Sequence, residues 1–165
     1  MRPTRLLAPL VALTLALPLA GCSSSSDSTA PLALNDTGVV ETTTFAPALG
    51  ISLSDSGWTK TPTGLYYRTV IAPTGTPATV AAGQNVAVNY AGFLVNGAQF
   101  DAGSFSFVLG AGRVIPGFDQ GVAGMKIGER RLLLVPASLG YGSSGSGSIP
   151  PNATLIFLVE VVSAS

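Results

Sequence analysis

Apolar and polar positions alternate over residues 86–90 and again over residues 105–109, the pattern of half-buried strands. Residues 64–71, rich in aromatic and β-branched side chains, read as another strand. Leu132-Leu133-Leu134-Val135 is a continuous apolar run closed by Pro136, which suits a central strand covered on both faces. Residues 152–162 supply a last strand. Asn96-Gly97 predicts a type I′ hairpin with residues 98–101 as its return, and Ala102-Gly103-Ser104 reads as a turn. Gly110-Ala111-Gly112 turns the chain into the stretch 113–142, where Pro116 suits the first position of a helix and Gly121 and Gly124 let it pack closely and then stop. A helix of about two turns is marginal alone. It must press Ile115, Phe118 and Val122 onto a sheet, where they form a pocket floor. About five or six strands joined mostly by turns, with one short helix on a face, make an α+β fold with a mainly antiparallel sheet.

The N-terminus has a different pattern. Two arginines precede an apolar and small-residue run over residues 6–20, too short for a comfortable membrane span and ordered like a secretion signal. It ends Leu19-Ala20-Gly21-Cys22, the arrangement of a bacterial lipoprotein signal in which the cysteine thiol takes the lipid. The alternative is an ordinary signal peptide beside a chance cysteine. Cys22 is the only cysteine of the chain and sits at the cleavage point. The expected organisation is therefore a signal peptide over residues 1–21, a Ser/Thr-rich tether and partly ordered segment over 22–62, and a folded domain over 63–165. The segment before the domain carries Phe45, Leu49, Ile51, Leu53 and Trp58, which are expected to dock loosely on the domain or on a partner. The expected location is extracytoplasmic, with a lipid anchor to a bacterial membrane, either periplasmic or at the cell surface.

Loss of Arg2 and Arg5 leaves six basic residues against eight acidic ones, a net charge of −2. Nothing in that balance suits nucleic acid. The chain has no histidine, which removes Ser-His-Asp and Cys-His catalysis and the commonest metal ligand. With Cys22 committed to the anchor, no zinc–cysteine site and no disulfide can form, and no metal or cofactor is implied. Asp119 and Glu129 read as solvated charges beside a helix and a turn. The glycine-rich pieces lack the third glycine of a dinucleotide fingerprint and the lysine of a phosphate loop. What remains is aromatic and aliphatic: Tyr90, Phe100, Phe105, Phe107, Val114, Ile115, Phe118, Tyr141, Ile149 and Phe157, with Asp101 directly after Phe100. They are either simply a core or an apolar ligand cleft with a few polar handles.

Seven blocks then occur in order: 88–94 (VNYAGFL), 97–101 (GAQFD), 107–110 (FVLG), 114–118 (VIPGF), 121–129 (GVAGMKIGE), 139–142 (LGYG) and 149–155 (IPPNATL). Together they resemble the FK506-binding-protein (FKBP) family of peptidyl-prolyl cis-trans isomerases, over roughly residues 64–162. The resemblance implies a twisted antiparallel sheet wrapped around one short helix, with isomerase activity on proline-containing polypeptides and binding of FK506- or rapamycin-like macrolides. It implies that a proline ring sits over Phe118, walled by Tyr90, Phe100, Val114, Ile115 and Phe157, with Phe105 and Ile149 also lining the substrate site. The Ile115 N–H and the Tyr141 hydroxyl would bind substrate carbonyls, and Asp101 would lie near the reacting carbonyl or hold Tyr90. The chain departs from many relatives in having Phe118 in place of a tryptophan, a three-residue link from Asp101 to Phe105, and a Ser/Gly loop after Tyr141. The alternative to an isomerase of exported proteins is an FKBP-like peptide-binding or chaperone lipoprotein with little turnover.

Overall fold

A computed structural model describes residues 36–165. The residues read as a signal peptide, Cys22 and the serine run lie outside the described residues. Six strands form one antiparallel sheet: β1 (Thr59–Lys60), β2 (Tyr66–Ile71), β3 (Asn85–Leu94), β4 (Gln99–Val108), β5 (Arg130–Val135) and β6 (Leu155–Ala164). Their spatial order is β1-β2-β5-β6-β3-β4. One α-helix, α1 (Pro116–Val122), lies among the described residues, with Pro116 at its start as the sequence predicts.

Side-chain alternation divides the sheet into two faces. On the concave face Val86 and Val88 of β3, Leu133 and Val135 of β5, and Phe157, Val159 and Val161 of β6 pack with Phe118 and Val122 of α1. The helix lies very close to the sheet. A β-carbon at Gly117 would fall 2.3 Å from Val135 Cγ1, and one at Gly121 would fall 2.4 Å from Leu133 Cδ1. Only glycine permits that approach, and it sets the depth at which Phe118 sits.

On the opposite face Leu134 and Ile156 are buried beneath Val40, with Phe45, Leu49, Ile51, Leu53 and Trp58 packed around them. The segment before β1 is also pinned by hydrogen bonds: both Asp36 carboxylate oxygens accept from the Thr154 N–H, and Ala46 N–H donates to the Val95 carbonyl at 2.8 Å. Order therefore begins well before residue 63. The apolar residues read as loosely docking are the second cover of β5, which explains why that strand is apolar on both faces.

Two turns differ from the sequence reading. The β3–β4 hairpin is not type I′, because Gly97 is at φ 87° while Asn96 is not at positive φ. Gly97 N–H bonds the Leu94 carbonyl and Leu94 N–H bonds the Ala98 carbonyl, which is the longer loop that ends in a left-handed glycine. Ala102-Gly103-Ser104 is not a turn at all. Ser104, Gly103 and Ala102 pair with Asn89, Tyr90 and Ala91, so β4 runs unbroken through them. The long partner strand overrides a local composition that favours a turn.

Glu129 is the other correction. It is 4% exposed and bonded to Arg131, itself 7% exposed. Thr69 donates to Glu129 Oε1 at 2.7 Å and the Lys126 N–H to Oε2 at 2.9 Å. Burial pushes the Glu129 carboxyl up, but these donors and the Arg131 charge outweigh it and hold the carboxyl below its ordinary value. Arg131 also donates to the Gly121 carbonyl at 3.0 Å and lies over the Tyr67 ring, so this buried pair anchors the end of α1 to the sheet.

Candidate active site

The concave side opens into a cleft of about 450 Å³ lined by Tyr90, Phe100, Asp101, Phe105, Gly112, Arg113, Val114, Ile115, Phe118, Tyr141 and Phe157. Phe118 is its floor, 3% exposed, because α1 presents it to the sheet two residues after Pro116. Its ring centroid lies 5.3 Å from Phe157, 5.8 Å from Phe105, 5.9 Å from Phe107 and 6.1 Å from Tyr90. Most of these contacts are edge-to-face, the arrangement that aromatic quadrupoles favour.

A β-bulge shapes one wall. Phe93 pairs with Gln99 and Gly92 with Asp101, so Phe100 is an extra residue with no partner on β3. The bulge re-aims Phe100, and both Phe100 and Asp101 line the cleft. The Phe100 ring occupies the space above Gly92, where a β-carbon would meet its Cζ at 2.6 Å, and packs edge-on to Phe157 at 5.6 Å.

Past the bulge, Asp101 and Phe105 fall on the same face of β4. Phe105 meets Tyr90 edge-on at 5.2 Å. The short link from Asp101 to Phe105 thus builds the wall directly, as strand. Tyr90 donates to Asp101 Oδ2 at 2.6 Å. By accepting that bond, the carboxylate pushes the Tyr90 phenol up to about 12, and burial adds to the effect. Tyr90 is therefore neutral at physiological pH, and its hydroxyl proton is committed to Asp101.

The loop from β4 to α1 forms the other rim. Asp119 Oδ1 accepts the Gly110 N–H at 2.9 Å, tying the loop's start to the helix, so Asp119 is structural. The Ile115 carbonyl accepts the N–H groups of Phe118 and Asp119, whereas the Ile115 N–H has no hydrogen-bond partner among the described residues. Tyr141, 38% exposed at the mouth, likewise has no partner for its hydroxyl there.

Of the residues predicted to form the cleft, all but Ile149 line it, and the predicted lipid site Cys22 lies outside the described residues. The Ser146–Ile149 turn, closed by reciprocal backbone hydrogen bonds of 2.9 and 2.8 Å, directs Ile149 into the main core instead, where it is 7% exposed. Sequence reasoning missed Gly112 and Arg113. The Gly110–Gly112 spacing signalled a tight turn, and only the register of that turn shows which of its neighbours reach the cleft.

A twisted antiparallel sheet closed over one short helix, with an aromatic cleft on its concave side, is the FKBP fold. The crystal structure of FkpA from Escherichia coli superposes with a TM-score of 0.60 at 36% sequence identity, covering 68% of this chain and 53% of that one. The family model for FKBP-type peptidyl-prolyl cis-trans isomerases matches residues 76–162, and the chain belongs to that family. FK506-binding protein 1 of Dictyostelium discoideum is 51% identical over 86 residues, 48% of this chain and 80% of that protein. FK506-binding protein 4 of the same organism is 47% identical over 108 residues, but this chain spans only 29% of its length.

Proposed function

We propose that the cleft accelerates rotation about X–Pro peptide bonds in exported polypeptides, and that the chain acts outside the cytoplasm, tethered through a lipid on Cys22. The observation that carries the catalytic part is the pairing of an apolar floor, Phe118, with uncommitted donors at the rim, the Ile115 N–H and the Tyr141 hydroxyl. Rotation about the C–N bond has a barrier of about 18–20 kcal/mol and needs no proton transfer or covalent intermediate. The twisted amide loses C–N double-bond character, and its carbonyl is less polar than that of the planar amide. A poorly hydrated aromatic surface therefore favours the twisted form over the planar ground state. The proline ring rests on Phe118 between Tyr90, Phe105 and Phe157, while the rim donors hold neighbouring carbonyls and leave the reacting bond free to turn. Lowering the barrier by about 7 kcal/mol gives roughly a 10⁵-fold acceleration.

A protease-coupled assay on a proline peptide tests this. Background turnover by a folded protein would reject catalysis, and tight peptide binding without turnover would make the chain a holder of proline-containing segments. A macrolide carrying a proline-like ring and flanking carbonyls fits the same surface and donors, so it is expected to compete with peptide. Anchoring rests on Leu19-Ala20-Gly21-Cys22 following the charged and apolar leader. Incorporation of labelled fatty acid that disappears in Cys22→Ala supports it; equal labelling of both proteins defeats it.

A further inference from the structure

We propose that the outer edge of β4 is a strand-addition site, which pairs with the extended part of a client chain and leads its proline into the cleft. The inference rests on the reading of the cleft as a proline site. β4 ends the strand order, and over its ten residues it pairs with β3 on one side only. Its free side presents alternate N–H and C=O groups along a full strand length. Most of the strand is exposed, including all of Asp101-Ala102-Gly103-Ser104.

Exposed edges ordinarily carry a charge, a proline or a bulge that blocks further pairing. The opposite edge of this sheet is protected in that way: β1 has two residues, and Lys60 is ion-paired with Glu41. On β4 the one bulge lies at Phe100, before the exposed run. From Ala102 to Val108 there is no Lys, Arg, Asp, Glu or Pro, and the first three side chains are all small. The backbone is open where a partner strand would lie.

Continuity with the cleft identifies the occupant. Asp101 and Phe105 come from this same strand, bracket the small residues 102–104, and line the cleft. A chain whose proline ring lies on Phe118 can leave the cleft past this wall and continue beside β4. The chemistry suited to that edge is an unfolded polypeptide with about six or seven extended, uncharged residues next to its proline, matching the run from Ala102 to Val108. Backbone pairing supplies affinity with little demand on sequence, which suits a protein that handles many clients.

The test uses the whole chain and a labelled peptide that has one X–Pro bond followed or preceded by six alternating Thr and Val residues. Two derivatives carry N-methyl groups on the odd or on the even amides of the extended part. A tetrapeptide with the same X–Pro bond serves as a control too short to reach the edge. The expected result is phase dependence: one methylated series raises Kd by about fivefold per blocked hydrogen bond, and the other binds like the parent. Hydrogen exchange should slow at alternate amides of β4 when the parent peptide binds. Equal affinity for all three long peptides, or equal loss in both methylated series, overturns the proposal. Protection of β4 that appears with rising protein concentration and no peptide also overturns it, because a second copy then owns the edge. Turnover of the tetrapeptide reads the cleft separately, so failure of the isomerase reading is distinguishable from failure of the edge.

Discussion

Tyr90 and Asp101 are joined by a 2.6 Å hydrogen bond although neither is the other's partner in the sheet. Tyr90 faces Gly103 across the ladder and Asp101 faces Gly92, so the bond runs diagonally between two glycine positions. A β-carbon at Gly103 would make only an ordinary 3.8 Å contact with Tyr90 Cε1, and the space over Gly92 is taken by the Phe100 and Phe157 rings. The pair is thus held by backbone register, and it fixes the Tyr90 ring against Phe105 and Phe118.

Removing the carboxylate should disturb catalysis more than folding. Asp101→Asn or Asp101→Leu is expected to lower kcat/KM by about 10- to 100-fold, the scale of one lost hydrogen bond to a charged group. Melting temperature measured beside turnover separates the two effects. Full activity in both variants would remove Asp101 from the site.

The phenol gives a pH test. An unfolded tyrosine titrates near 10, whereas Tyr90 in the fold is pushed up to about 12. Between those values the folded state keeps a proton that the unfolded state has released. This contribution to stability is complete below about pH 10 and is lost as pH rises towards about 12. Ultraviolet titration should show Tyr90 ionising late, and Asp101→Asn should return it toward the ordinary value.

Glu129 works in the opposite sense. Its folded carboxyl is held below the ordinary value, so its contribution is present above about pH 4.5 and is lost as pH falls through the lower, folded value. Glu129→Gln should flatten the acid limb of a stability–pH curve. Arg131→Met should cost about 3–5 kcal/mol in denaturant melts, because it strands a buried carboxylate and frees the Gly121 carbonyl.

Gly92→Ala probes the wall sterically. The new methyl would lie 2.6 Å from Phe100 Cζ and 3.0 Å from Phe157 Cε1, so both rings must move. A stability loss of about 1–3 kcal/mol is expected, together with weaker peptide binding. An unchanged Kd would mean that the Phe100 wall does not contact the peptide.

Phe118→Ala should cost about 3–5 kcal/mol, since the ring is buried among four others. Phe118→Leu keeps an apolar floor without the flat ring and should remain folded while losing turnover. Equal kcat/KM for Phe118→Leu and the parent would show that the floor needs only bulk.

How much the chain revealed beforehand depended on the range of the interactions. α1 was legible because Pro116 and the glycines that follow it act locally. The alternation of β3 and the apolar run of β5 were legible for the same reason. Ala102-Gly103-Ser104 was not, since its strand conformation is imposed by pairing with residues 89–91. Glu129 resembled a surface charge because Lys126 and Arg131, its neighbours in sequence, are polar, whereas its burial and its bond from Thr69 of β2 come only with the folded sheet. Of the cleft residues, the aromatics stood out by type, whereas Arg113 carries no mark that distinguishes it from a solvated charge. Ile149 does not line the cleft; it sits in the same core as Phe118 and Phe157.

The outer layer also determines how the protein can be watched. The only tryptophan of the chain, Trp58, lies on the face away from the cleft, with its indole N–H bonded to the Ser52 carbonyl and the Arg68 guanidinium 4.7 Å over its ring. The cleft floor is a phenylalanine. Intrinsic emission will therefore report whether the N-terminal segment is seated on β5 and β6, and will stay almost silent when a peptide enters the cleft. A shift in that emission during a binding titration signals detachment of the outer layer rather than occupancy.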